Sequence, residues 1–194
     1  MTKIIGLTGG IGSGKTAVAE YFRASGIPVY IADTEAKKIS ESAEIVQLIK
    51  SAFGTSIFDA ENINREKLAQ LVFNDSEKLA TLNKIIHPAV KIHFENWVKN
   101  HKEFPYVIKE AAILFESGSY KDCDIIITVV APLETRISRV LGRDKTSREN
   151  VLKRIDSQWT DDQRVSKSDY VIENISLPET QKQVDKILKK LTIR

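Results

Sequence analysis

Short apolar runs alternate with helically spaced segments along most of the chain. Lys3 to Thr8 reads Lys-Ile-Ile-Gly-Leu-Thr and ends against two glycines, which predicts a buried strand. Lys15 to Ser25 sets Val18, Tyr21 and Phe22 on one helical face and stops at Gly26, a helix with a glycine end. Pro28 to Ala32 predicts a second strand, and Thr34 to Ser42 a second helix. Between 45 and 103 the spacing is helical throughout. Ile45-Val46-Leu48-Ile49, Leu68-Leu71-Val72 and Leu79-Leu82-Ile85-Ile86 recur at three and four residues. Pro88 suits a first helical turn and predicts a separate helix through Trp97. Strands resume at Tyr106 to Ile108 and at Asp124 to Val130. The latter carries the run Ile-Ile-Ile-Thr-Val-Val, the composition of a strand covered on both faces. Leu133 to Leu141 and Ser147 to Trp159 predict two helices, Tyr170 to Ile172 a last strand, and Thr180 to Leu191 a closing amphipathic helix.

Five strands alternating with helices imply an α/β fold, a five-stranded parallel sheet flanked by helices, interrupted by an all-helical insertion. In such sheets ligands sit beyond the carboxyl ends of the strands, so chemistry is sought in the loops that follow them.

Composition narrows the partners. With 194 residues, 42% hydrophobic and 28% charged, the chain can bury a substantial core. A net charge of +3 from 29 basic and 26 acidic residues is too small to argue for nucleic acid. The single cysteine, Cys123, excludes an intrachain disulfide. No apolar stretch reaches the roughly 18 residues needed to span a membrane, and the first apolar run is too short for a signal peptide. These readings place the protein in the cytoplasm, without a membrane or nucleic-acid partner, and leave its oligomeric state open.

Gly9-Gly10-Ile11-Gly12-Ser13-Gly14-Lys15-Thr16 matches G-x-x-x-x-G-K-[ST] between a predicted strand and a predicted helix. Glycines let backbone amides approach phosphate oxygens, and the helix that follows adds its N-terminal N–H groups and dipole. Lys15 supplies a charge for the β- and γ-phosphates and the Thr16 hydroxyl a ligand for magnesium. Gly10, Ile11, Gly12, Ser13, Gly14, Lys15 and Thr16 are therefore the candidate residues for binding a nucleoside triphosphate. The motif itself does not separate kinases from GTPases or motor ATPases.

Two features favour a kinase over a nucleotide-dependent switch. The guanine-selecting N-K-x-D segment does not occur, and residues 136–154 hold seven cations against Asp144 and Glu149. Arg136, Arg139 and Arg143 step by three and four, so they share a helical face. That face either closes over a triphosphate as a lid or is simply solvated. Asp33 follows the second strand, where a carboxylate either orients an attacking hydroxyl or caps the helix near Thr34; spacing leaves both open. Glu110 ends the strand beginning at Tyr106, and His87 precedes Pro88, the position of a helix cap.

Taken together the chain resembles the dephospho-coenzyme A kinase family. The likeness runs through Ile5 to Lys15, Ala32-Asp33, Asn64 to Leu68 with Val72-Phe73, Ile86-His87-Pro88, Leu114-Phe115-Glu116-Ser117-Gly118, the spaced Arg136, Arg139 and Arg143, then Arg154 and Gln158, and Val171-Ile172 with Asn174. What the resemblance implies is a P-loop kinase using ATP and magnesium to phosphorylate dephospho-coenzyme A. It implies a core of 1–33, 104–132 and 169–194, a helical acceptor domain over 34–103 and a mobile lid over 133–168. Asp33 would be the base, Arg139 and Arg143 lid residues acting with Lys15 in catalysis, and Asn174 a neighbour of the adenine. Arg65 and His87 would face the acceptor. Glu110 stands where the family places an aspartate, which implies a contact to magnesium beside Thr16.

Overall fold

The computed structural model describes residues 1–60, 62–73 and 75–192. The chain divides into two compact units, Met1–Ile31 with His101–Arg194, and Ala32–Asn100.

In the first unit, strands β1 (Lys3–Thr8), β2 (Val29–Ile31), β5 (Tyr106–Glu110), β6 (Ile125–Val130) and β7 (Tyr170–Glu173) form one sheet in the order β2-β5-β1-β6-β7. Every neighbouring pair is parallel. The register sets Leu7 beside Glu110 and Thr8 beside Thr128, so the sheet's carboxyl edge gathers the end of β1, Glu110 and the end of β6. Strand alternation turns Ile5, Leu7, Ile108, Ile127, Val129 and Ile172 to one face. There they pack on Val18, Ala19 and Phe22 of α1 (Lys15–Ala24) and on Val184, Ile187 and Leu191 of α9 (Leu177–Thr192). Burying each such side chain is worth about 1.5–3 kcal/mol, and this seam holds α1 rigidly under the loop it follows.

Cys123 lies on the opposite face, where a Cβ on Gly6 would meet its Sγ at 2.9 Å. Burial pushes its thiol up to about 11 from the usual 9.0. The unfolded thiol ionises first as pH rises, so this residue's contribution to stability is present below about pH 9 and lost between about 9 and 11. At pH 8 a disulfide reagent is expected to modify native Cys123 at least about ten times more slowly than the denatured chain. Equal rates would contradict the burial.

Between β6 and β7 lie α6 (Leu133–Arg143), α7 (Arg148–Asp156) and α8 (Asp161–Val165). The predicted helix from Ser147 to Trp159 is shorter, because Ser147 caps α7 and Ser157 ends it. Thr160 and Gln163 then form a reciprocal capping box that starts α8.

The second unit contains α2 (Ala32–Ser40), α3 (Ala43–Phe53), α4 (Arg65–Phe73) and α5 (Ser76–Lys99) around Ile45, Ile49 and Ile57. Two expectations need correction. The insertion is not all helical: β3 (Phe58–Asp59) and β4 (Asn62–Ile63) form a minimal antiparallel hairpin, with Ala60 at φ 55° in its turn. Nor does Pro88 begin a helix. It lies inside α5, which starts twelve residues earlier under the cap of Asp75, whose carboxylate accepts the Glu77 and Lys78 amides. An interior proline costs about 3 kcal/mol, here offset by the packing of α5 against α2, α3 and α4.

Candidate active site

The loop between β1 and α1 is held from outside by donors that grip its carbonyl groups. Arg136 Nε donates to the Ile11 carbonyl at 2.9 Å. Asn174 Nδ2 donates to the Ser13 carbonyl at 2.8 Å, and Arg139 Nη1 reaches the same oxygen at 3.3 Å and that of Gly12 at a looser 3.5 Å. In a trans peptide the carbonyl and the following N–H point in opposite directions. Carbonyls drawn to these donors therefore turn the Gly12 and Gly14 amides to the other side of the loop, the arrangement of an anion cradle. Glycine is required at Gly12 and Gly14. Gly12 (φ 79°) and Gly14 (φ 88°) are left-handed, and a Cβ would lie 2.4 Å from the Arg136 carbonyl oxygen and 2.0 Å from Asn174 Nδ2.

Lys15 Nζ donates to the Gly9 carbonyl at 2.9 Å and stands 4.0 Å from the carboxylate of Glu110. Glu110 is 4% exposed, an acidic group placed at the carboxyl end of β5 by the pairing of β5 with β1 and β2. Thr8 Oγ1 and Ser13 Oγ are buried hydroxyls without a hydrogen-bond partner at the base of the loop. An anion seated in the cradle would satisfy such groups. Thr16 is exposed in the first turn of α1. Amides, Lys15 and unpaired hydroxyls fit a polyphosphate; the Thr16 hydroxyl and the Glu110 carboxylate fit a hard divalent cation with oxygen ligands.

The cations of α6 divide by position. Arg136 is 6% exposed and Arg139 half-buried, both bonded to the loop, so this face is neither solvated nor detached. Arg143 is exposed and pairs with Asp144, which Arg154 also holds. The two guanidinium groups lower the Asp144 carboxyl to about 2, and Asp144 in turn raises Arg143. Asn174 is 2% exposed, with its amide on Ser13 and its Oδ1 accepting the Thr180 hydroxyl at 2.9 Å. Its side chain thus supports the phosphate loop from below. Arg139 Nη2 closes the cluster on the Asn174 carbonyl at 3.0 Å.

Sequence reasoning placed Arg136 on a candidate phosphate-facing helix surface but assigned no role to Gln158, Asp161 or Arg164. Gln158 Oε1 accepts the Ile11 amide at 2.9 Å, so the Ile11 residue is gripped on both its N–H and its carbonyl. The T-x-x-Q capping box at Thr160 was the one local signal of this segment.

The other predicted residues belong to the second unit. Asp33 is exposed in the first turn of α2, two residues beyond the end of β2, a favourable place for an acid on the helix dipole. Arg65 begins α4, pairs with Glu41 at 2.5 Å, and lines a cavity of about 780 Å³ with Lys37, Ser40, Leu68 and Ile86. His87 lies on α5, where partial desolvation lowers its pKa.

A parallel sheet with a phosphate-cradling loop after β1, a lysine at its end and a carboxylate on the adjacent strand defines a P-loop nucleotide-binding protein, and the family match that follows makes it a P-loop kinase. A family profile described as CoaE, dephospho-CoA kinase, matches residues 3–179, and the chain belongs to that family. The dephospho-CoA kinase of Fusobacterium nucleatum is 46% identical over 174 residues, covering 89% of this chain and 90% of that protein. Among solved structures, TT1252 from Thermus thermophilus superposes with a TM-score of 0.90 at 33% identity over 97% of both chains. The dephospho-CoA kinase of Campylobacter jejuni gives 0.71 at 25% identity over 98% of both.

Proposed function

We propose that this protein transfers the γ-phosphoryl group of ATP to the ribose 3′-hydroxyl of dephospho-coenzyme A, giving coenzyme A and ADP, the last step of coenzyme A biosynthesis. The observation that carries this reading is family membership over residues 3–179 in a chain whose phosphate loop is complete. The turned amides of the loop and Lys15 bind the β- and γ-phosphates and counter the charge that develops on them. Thr16 and Glu110 hold magnesium, which when bound screens the phosphate oxygens. Asp33 orients the acceptor hydroxyl and accepts its proton. Residues 34–103 form the acceptor domain with Arg65 and His87 on its binding surface. The segment 133–168 is the mobile lid that carries Arg139 and Arg143, and the remainder, 1–33, 104–132 and 169–194, is the nucleotide core. Glu61, Asn74, Ile193 and Arg194 of these ranges lie outside the described residues. Among the described residues no helix is long and apolar enough to cross a membrane. In this reading the enzyme works in the cytoplasm on small-molecule partners.

The test is ADP release with magnesium-ATP and a panel of acceptors: dephospho-coenzyme A, nucleoside monophosphates, shikimate, gluconate and none. Turnover stimulated by dephospho-coenzyme A alone is expected. Stimulation by another acceptor instead would retain the phosphate loop and overturn the acceptor assignment. Hydrolysis that no acceptor accelerates would overturn the transfer reaction.

A further inference from the structure

Arg136 is tied at its far end to a second structure. Its Nη1 donates to Asp161 Oδ2 at 2.9 Å while its Nε holds the Ile11 carbonyl, also at 2.9 Å. The guanidinium lies against the loop so closely that a Cβ on Gly10 would meet its Nη2 at 2.2 Å. Asp161 shares its other oxygen with Arg164 Nη1 at 3.3 Å. Arg164 is fully buried; it donates to the Trp159 carbonyl at 2.5 Å and to Glu116 Oε1 at 3.1 Å. That same Glu116 oxygen accepts the Trp159 amide at 3.0 Å, and the Trp159 ring stacks on Phe115, 5.2 Å between centroids and 4° between planes. The series runs from the Phe115-Glu116 segment through α8 to the apex of the phosphate loop.

An arginine in this place has a choice of acceptors unless something fixes its plane. A guanidinium presents its donors in a rigid fork, so a carboxylate on Nη1 determines where Nε points. Asp161, itself held by buried Arg164, fixes that orientation. The Ile11 carbonyl follows Nε, and with it the Gly12 amide on the reverse side of the same peptide.

We propose that Asp161 is a positioning residue for nucleotide binding: through Arg136 it sets the Ile11–Gly12 peptide in the orientation that offers the Gly12 amide to the phosphates. The proposal rests on the reading of the loop as an ATP site. It implies that neutralising Asp161 weakens the grip on polyphosphate while leaving the chemical step intact, because Asp161 acts on the loop through Arg136.

Equilibrium binding of ATP and ADP to the full chain tests this without reference to any acceptor. Asp161→Asn is expected to weaken ATP binding and raise the ATP KM about 10-fold, as for loss of a charge-assisted hydrogen bond. The kcat and the acceptor KM should stay within about twofold, and Asp161→Glu should restore most of the affinity, a split that a merely structural defect would not produce. If Asp161→Asn does not fold, Arg136→Lys is measured in its place. Lysine keeps the charge but cannot serve both acceptors in fixed geometry, so the same loss is expected. Wild-type ATP affinity in a folded variant of either kind would overturn the proposal. Failure of the wild-type protein to bind ATP would overturn the nucleotide reading itself, and the proposal with it.

Discussion

Replacing Lys15 by alanine is expected to lower turnover by a factor of about 10² to 10³ or more, the scale set by removing one preorganised donor from a developing charge. The Lys15 side chain is 11% exposed, with its ammonium on the Gly9 carbonyl and 4.0 Å from the Glu110 carboxylate. It is thus fixed at the mouth of the cradle before any nucleotide arrives, and no reorganisation is needed when charge builds on the γ-phosphate. Alanine removes that charge and also leaves Glu110, only 4% exposed, without this cation. Loss of thermal stability should therefore accompany loss of rate. Initial rates of ADP release with saturating acceptor check the prediction. A Lys15→Ala protein turning over within threefold of wild type would remove the loop from the catalytic apparatus.

The second large effect is expected at Asp33. Asp33→Asn preserves size and helix position but removes the proton acceptor, and turnover should fall by about 10² to 10⁴. Ground-state ATP affinity should change little, since every polar contact to the loop described above comes from the first unit and Asp33 lies in the second. Exposure in the first turn of α2 leaves the carboxylate accessible to an incoming hydroxyl. Stability should hardly change, because the asparagine occupies an exposed site. An Asp33→Asn enzyme with wild-type kcat would leave Asp33 as a helix-end acid only.

The strands and the phosphate loop were legible because their causes are local. β-Branched runs, a glycine-rich turn and a lysine at the helix start are readable within ten residues, and β1 and β6 fall at or within one residue of the ranges expected from spacing. Pro88 misled because a first-turn preference describes where proline is most comfortable, while α5 already had a start at Asp75 and three helices to pack on. The hairpin at Phe58 and Ile63 has two residues per strand, too few for a period of two to register. The arginines were legible as a face but not in their partners. Arg136 meets Ile11 across 125 positions and Asn174 meets Ser13 across 161, contacts that tertiary structure alone supplies. Asn174 is wedged under the loop, where the missing Cβ of Gly14 makes the room.

The order of strands also carries a consequence for synthesis of the chain. Neither β1 nor β2 pairs with the other; both wait for β5, which for β1 lies about a hundred residues downstream, and β1 then needs β6 as well. At roughly 5–20 residues per second, Ile5 and Leu7 stay unsheltered on the ribosome for about 5–20 s. The helices from Ala32 to Asn100 draw their core from within that stretch, so they can close while still emerging, before the sheet is complete.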